Sequence, residues 1–155
     1  MLPTETFSRG TILDPWYVTG LVEGQGAFTF SRSGRQMSLY FAIKLSESER
    51  GILEAIQEFF GGGGTIYRVK PGVAPTAGSG HTKAAAYYRV TRRQDLERVV
   101  EHFDQFPLRG AKAAAYQVWR EMVVVKRAFR KPAREELDAL AARLSAVSPR
   151  GGRSS

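Results

Sequence analysis

The chain contains no cysteine and only two histidines in its 155 residues. The absence of cysteine excludes disulfides and thiolate metal sites, and two histidines cannot form a multi-histidine zinc site. No apolar run approaches the ~18 residues of a membrane span, and residues 1–13 hold no apolar stretch of signal-peptide length. We therefore expect no membrane association. The Ala-, Gly- and Arg-rich composition favours a bacterial cytoplasm, in association with the nucleoid.

Acidic residues are missing from two stretches of this basic chain. The whole chain has 23 Lys and Arg against 15 Asp and Glu, a formal net charge of +8. Residues 26–45 and 61–93 together contain nine basic residues and no acidic one, so the remainder is nearly neutral. A basic excess can serve solubility or bind a polyanion. Its concentration in two segments favours a nucleic-acid-binding surface.

Both acid-free stretches are predicted to form pairs of β-strands. Residues 27–32 and 37–45 alternate apolar and polar side chains, the period typical of half-buried strands. Residues 33–35 form a predicted hairpin turn between them. Residues 65–70 and 84–92 form the second pair, joined by a Gly- and Pro-rich connector over residues 71–82.

An acidic amphipathic helix follows each strand pair. Ser46 and Glu49 have the spacing of a capping box, and apolar residues then recur at helical spacing until four glycines over residues 61–64. A second such helix ends before Pro107. This repeat predicts an α+β fold in which helices cover one face of an antiparallel sheet. The other face would be polar and basic, either as a binding surface or simply as a solvated one.

Another helix precedes the first strand, with Asp14 as N-cap and Pro15 at its first position. Gly20 and Gly24 lie four residues apart on one face of this helix. Glycine costs about 1 kcal/mol relative to alanine inside a helix, which suggests that another backbone approaches there.

The end of the chain is also predicted to be largely helical. A basic helix is expected over residues 111–129, and Pro132 is expected to open a last amphipathic helix, followed by a disordered tail from residue 148. We divide the chain into an N-terminal arm (1–13), a main domain (14–129) and a basic C-terminal helix with its tail (130–155).

Residues 18–26, with the sequence VTGLVEGQG, resemble the nine-residue signature of the LAGLIDADG homing endonucleases. Residues 90–96 and 102–108, followed by Lys112 and Tyr116, are also similar to this family. The resemblance covers residues 14–126 and includes one copy of the motif, which is typical of the homodimeric members. It implies an αββαββα saddle with a four-stranded antiparallel sheet, here followed by extra C-terminal helices.

The resemblance implies that two motif helices pack through Gly20 and Gly24, and that the sheets lie over the major groove of double-stranded DNA. Strand alternation selects the DNA-facing residues, with Arg68 and Arg89 best suited to read guanine. A strand of about eight residues spans roughly 8 base pairs, so a dimer would read a pseudo-palindrome about twice as long. The predicted DNA-binding residues are Thr29, Ser31, Ser33, Arg35, Ser38, Tyr40, Lys44, Arg68, Lys70, Tyr87, Arg89 and Thr91.

In this family the acid at the eighth motif position holds a divalent metal, usually Mg²⁺. This metal generates the hydroxide that attacks the phosphodiester. Gln25 occupies that position here, and a neutral amide is a poor ligand for a hard cation. Glu23 is two residues earlier and points roughly 200° away around the helix. Lys112 matches the family's basic residue beside the scissile phosphate. We therefore name Gln25 and Lys112 as the catalytic positions and expect weak or no cleavage.

Other functions fit the same scaffold. A DNA-binding regulator without cleavage explains the retained strands and the missing acid. A maturase that binds intron RNA is a third reading, with basic residues 111–131 as the RNA surface. A basic globular protein without nucleic-acid function is the fourth, but it leaves the charge distribution and the Gly20/Gly24 face unexplained.

Overall fold

A computed structural model describes residues 12–70, 84–128 and 134–149 of the chain. The elements alternate in the order αββαββα, and two further helices follow. They are α1 (Pro15–Gln25), β1 (Gly26–Ser33), β2 (Gln36–Ser46), α2 (Arg50–Phe59), β3 (Thr65–Val69), β4 (Ala85–Val90), α3 (Arg93–Gln105), α4 (Lys112–Ala128) and α5 (Arg134–Val147).

The four strands form one antiparallel sheet in the order β1-β2-β4-β3. The β1–β2 hairpin closes through Gly34, whose φ of 63° lies in the left-handed region that glycine tolerates. Strands β2 and β4 are the inner pair, so their side chains occupy the middle of both faces of the sheet. The predicted α+β fold is thereby confirmed.

The helices pack on one face of the sheet because most strand residues on that face are apolar. Met37, Leu39, Phe41, Ile43 and Leu45 of β2 are all buried there. The ring of Phe28 lies at the centre of this core, with centroid distances of 5.1 to 5.4 Å to the rings of Phe41, Phe103, Tyr116 and Trp119. Burial of these large aromatic surfaces is the main stabilising contribution.

Helix α1 passes directly into β1, and a glycine makes this junction possible. The Asp14 carboxylate caps the start of the helix by accepting a hydrogen bond from the Trp16 amide at 2.7 Å, as predicted. At the other end the Gly26 amide donates to the Val22 carbonyl. A Cβ on Gly26 would lie 2.6 Å from Val22 Cγ1, so a side chain there requires the junction to shift.

Three predicted details differ from the structure. Ser46 caps a short 3₁₀ helix over Glu47–Glu49, so Glu49 lies at the junction with α2 instead of completing a capping box. Strand β4 ends at Val90, because Arg92 already serves as the N-cap residue of α3. The tail was predicted to be disordered from residue 148, but Ser148 donates backbone and hydroxyl hydrogen bonds to Leu144, which extends the end of α5.

Other predictions lie partly outside the described residues, namely the 71–82 connector, Pro132 and residues 150–155. Helix α5 buries Leu137, Leu140 and Leu144 in the same apolar cluster as the sheet. The division at residue 130 stays a prediction, because residues 129–133 are not described. Within the described ranges, no helix combines the length and apolarity needed to cross a bilayer.

Candidate nucleic-acid interface and active site

The sheet face opposite the helices, which we call the open face, carries most of the predicted binding residues. Strand register places Thr29 opposite Tyr40, Ser31 opposite Ser38, and Lys44 opposite Tyr87. Arg35 is exposed in the hairpin turn, and Thr91 and Lys70 are exposed just beyond the ends of β4 and β3. The predicted residues that share the open face are Thr29, Ser31, Ser33, Ser38, Tyr40, Lys44, Tyr87 and Arg89.

The expected orientation of Arg68 is wrong. Arg68 pairs with the buried Ala86, and its neighbour Ile66 pairs with the buried Tyr88, so both residues face the helix side. Arg68 helps to lower the pKa of Glu47, which is lowered chiefly by a hydrogen bond from Arg50. The prediction chose the wrong alternation for this short strand, in which the apolar residues Ile66 and Val69 point to opposite faces.

The corrected register brings Thr65 and Tyr67 onto the open face, where sequence reasoning did not place them. Tyr67 lies opposite Tyr87, and Thr65 lies opposite Arg89. Tyr67 is 39% exposed, so part of its ring is accessible on this face.

The open face is less basic than the sequence suggested. Arg32 faces the helix side, where it forms an ion pair of 2.9 Å with Asp138 of α5. Lys44 and Arg89 are therefore the basic residues that the described strands present on the open face, and none of the strand residues there is acidic. The surface is consequently polar and aromatic, with two positive charges.

Aromatic rings surround Arg89. Its Cζ atom lies 3.8 Å from the centre of the Tyr40 ring, a close cation–π contact. The rings of Tyr67 and Tyr87 stack with a centroid distance of 5.3 Å and an interplanar angle of 14°. Burial raises the pKa of Tyr87, and nearby Tyr40 and Tyr67 add to this, so its hydroxyl remains a protonated donor at neutral pH.

A cavity of about 590 Å³ lies between the end of α1, the open face and the start of α4. Gln25 and Lys112, the predicted catalytic positions, both line it. Thr29, Tyr40 and Tyr87 line the same cavity, so the structure brings the predicted catalytic and DNA-facing residues together.

Glu23 ties the end of α1 to the start of α4. Its carboxylate accepts hydrogen bonds from the backbone amides of Arg109 and Gly110, the latter at 3.0 and 3.2 Å. Its carbonyl oxygen accepts from Lys112 Nζ at 2.8 Å. A Cβ at Gly110 would lie 2.7 Å from Glu23 Oε1, so a side chain there would displace this carboxylate. Glu23 thus has a structural role, in agreement with its predicted direction away from Gln25.

The residues of this cavity do not fit a magnesium ion. Gln25 offers a neutral carbonyl oxygen, and the Glu23 carboxylate is already satisfied by two amides. Among the described residues, no group of three His, Cys, Asp or Glu side chains could hold a metal ion. The amide oxygen at the motif position is neutral and the one nearby carboxylate is engaged by backbone amides, so the cavity offers a hard divalent cation no uncommitted anionic oxygen.

A buried polar cluster lies behind the exposed face of α1. The Thr19 hydroxyl donates to the Phe106 carbonyl at 2.8 Å and lies 3.0 Å from His102 Nε2. Because the hydroxyl has one hydrogen, His102 must be the donor in the second contact, in its Nε2–H tautomer. Burial among aromatic rings lowers the pKa of His102 to about 4.

The opposite face of α1 is open. Gly20 and Gly24 are exposed, and a Cβ built on either residue meets no atom within 4 Å. Trp16 and Tyr17 are 48% and 36% exposed at the start of the same helix.

Residues 18–123 match the family model for the LAGLIDADG endonuclease. An uncharacterised 50.9 kDa protein in ND4 intron 1 of Podospora anserina is 29% identical over 122 residues, covering 73% of this chain and 24% of that protein. A probable intron-encoded endonuclease 3 of Neurospora crassa is 22% identical over 125 residues, covering 76% of this chain and 21% of that protein. The chain thus spans about a quarter of the length of these relatives.

Solved structures share the fold. The meganuclease I-SmaMI bound to uncleaveable DNA superposes with a TM-score of 0.75 at 19% identity, covering 95% of this chain and 47% of that chain. The meganuclease I-AabMI bound to uncleaved DNA superposes with a TM-score of 0.69 at 24% identity, covering 84% of this chain and 44% of that chain. The homing endonuclease I-TnaI gives 0.68 at 22% identity and is matched over 97% of its chain, with 88% of this one covered.

Proposed function

Because the chain belongs to the LAGLIDADG endonuclease family, we propose that it binds double-stranded DNA sequence-specifically, with the open face in the major groove. The observation that carries this proposal is the open face itself, which has no acidic strand residue and places Lys44 and Arg89 among hydroxyl and aromatic side chains. Such groups suit base edges and phosphates. The DNA-bound I-SmaMI and I-AabMI structures share this fold.

The chain acts as a homodimer in this proposal. The DNA-bound neighbours are matched over less than half of their length, and a second copy of this chain would supply a sheet surface of their size. The exposed Gly20/Gly24 face of α1 supports close helix packing with a second copy, because a neighbouring backbone can approach there. Such a dimer reads a pseudo-palindromic site.

The dimer is tested by Gly20→Leu, whose side chain points into open space in the monomer. We expect light scattering to report a dimer for the native chain and a folded monomer for the variant. Gln117→Leu, at an exposed position of α4, is the matched control and should leave the dimer intact. A dimer that survives Gly20→Leu would place the interface elsewhere.

Cleavage is weak or absent in this proposal. Endonucleases of this family depend on divalent metal ions, and the donors around Gln25 do not fit one. Lys112 lines the same cavity and can neutralise a phosphate oxygen, but a lysine does not replace the metal. The chain is therefore an endonuclease by family membership that binds its DNA site more effectively than it cleaves it.

Two experiments test these proposals in order. First, selection from a random duplex library at stated salt should enrich one pseudo-palindrome, and failure to enrich any sequence would refute DNA recognition. Second, the selected duplex is incubated with Mg²⁺ or Mn²⁺ and with either the native chain or Gln25→Glu. We expect little cutting by the native chain and partial activity with the new carboxylate. Rapid native cutting that a chelator abolishes would refute the assigned consequence of Gln25.

The intron context of the curated relatives supports one alternative, a maturase that binds intron RNA. A structured intron RNA in competition with the selected duplex distinguishes the two functions. A bacterial cytoplasmic location beside the nucleoid is also proposed, from composition alone, although these relatives are fungal. Imaging of a tagged chain in its host tests that location.

A further inference from the structure

Arg89 occupies the middle of the open face. It lies on the inner strand β4, with Ala42 beside it on β2 and Thr65 beside it on β3. Its side chain is half-buried. Across the described ranges, the ion pairs use other arginines, and none neutralises the Arg89 guanidinium. A charged group at the centre of a candidate interface is therefore uncompensated by protein.

Tyr40 fixes the orientation of this guanidinium. The 3.8 Å contact between Arg89 Cζ and the ring centroid stacks a planar cation on an aromatic face. Within the described part of the chain, the Nε atom of Arg89 is buried and has no hydrogen-bond partner. The two terminal nitrogens are therefore the donors that a ligand can reach.

The stacked Tyr67 and Tyr87 rings form a wall beside this group, because Tyr87 is on the same strand two residues before Arg89. Tyr40 and Tyr87 also line the cavity that contains Gln25. A ligand bound by Arg89 thus lies near the end of α1, next to the candidate active site.

We propose that Arg89 selects a guanine at one fixed position in each half-site, through the O6 and N7 atoms on its major-groove edge. The inference rests on the proposed DNA binding. Guanine presents two adjacent acceptors that match two donors of an oriented guanidinium. Phosphates line the walls of the groove, whereas base edges form its floor, so a recessed, central arginine is better placed for a base. Tyr40 is the positioning residue that holds the two-pronged guanidinium group, or fork, in this orientation.

The test compares base preferences of the native chain, Arg89→Ala and Arg89→Lys on the selected duplex. We expect native discrimination against the other three bases of about 5- to 150-fold at one position, as bidentate readout gives. Both variants should lose this preference, because lysine keeps the charge but not the fork. Tyr40→Leu should weaken it, and the matched Tyr40→Phe, which retains the ring, should not.

Replacement of the selected guanine by 7-deazaguanine removes the N7 acceptor without altering the protein. We expect it to weaken binding by the native chain several-fold and to leave Arg89→Ala unaffected, which makes the test independent of variant folding. Lys44→Ala is the contrasting variant, expected to weaken all duplexes uniformly and to reduce their salt dependence. If Arg89→Ala behaves like Lys44→Ala, Arg89 binds phosphate and this inference is overturned. If the native chain selects no duplex, the proposed function fails and the inference fails with it.

Discussion

Acidification should destabilise the protein through His102. This residue is 7% exposed, and its ring packs edge-on against Phe59, Phe60 and Phe103. Burial lowers the pKa of this imidazole to about 4, whereas a histidine in the unfolded chain titrates near 6.5. Between these values the unfolded state binds a proton that the native state excludes.

The sign and size of the change in folding stability with pH follow from this difference in pKa. The stability linked to His102 is fully present above pH 6.5 and is lost as the pH falls toward 4. The loss is ~1.4 kcal/mol for each pH unit, so it reaches about 3 kcal/mol at the lower limit. A domain of this size is stable by about 5–15 kcal/mol, which makes such a loss measurable.

Urea unfolding, followed by circular dichroism between pH 7.5 and 4.5, measures this effect. His102→Gln is the control, because it keeps a side-chain N–H that can donate to Thr19 but does not titrate. Carboxylates are shared by both proteins, so the difference between the two pH profiles isolates the imidazole. Parallel profiles between pH 6.5 and 4.5 would refute the assignment of a buried, neutral His102.

Two further predictions concern helix α1. Thr19→Val leaves His102 Nε2–H and the Phe106 carbonyl unpaired, and should lower the free energy of unfolding by about 2 kcal/mol, whereas Thr19→Ser should largely preserve it. Gly26→Ala forces the α1–β1 junction apart and should cost ~1–3 kcal/mol, whereas Gly24→Ala meets no atom and should not destabilise the monomer. Urea unfolding in the monomeric Gly20→Leu background measures both, and equal effects of Gly26→Ala and Gly24→Ala would contradict the described junction.

Long amphipathic elements made most of the fold predictable. Strand β2 has five apolar residues in strict alternation, so its buried face was evident without a structure. Strand β3 has only five residues, and Ile66 and Val69 have opposite alternation, so local pattern could not choose a face for Arg68. Pairing with β4 decided the question, because Ile66 faces the buried Tyr88.

The sequence positions of the candidate site residues were predictable, but the contacts that their side chains make were not. The family resemblance indicated that Gln25 and Lys112 belong to one site, and both line one cavity. The Glu23 carboxylate, however, is bound to amides 86 and 87 residues away, and no local spacing encodes that contact. The stacking of Arg89 on Tyr40 likewise joins two strands, so it required the register of the sheet.

The period-two structure of the strands also bears on how the protein can change over generations. Ser31, Ser33 and Ser38 are exposed on the hairpin, so their replacement disturbs little of the core. Under the proposed DNA binding, mutations there would retarget the protein to a new sequence with almost no penalty in folding. Arg89 and Tyr40 are coupled to each other and partly enclosed, so they should drift more slowly. The exposed hairpin serines are therefore the positions to change first when the proposed DNA target is redesigned. Arg89 and Tyr40, at the centre of the sheet, are the positions to retain.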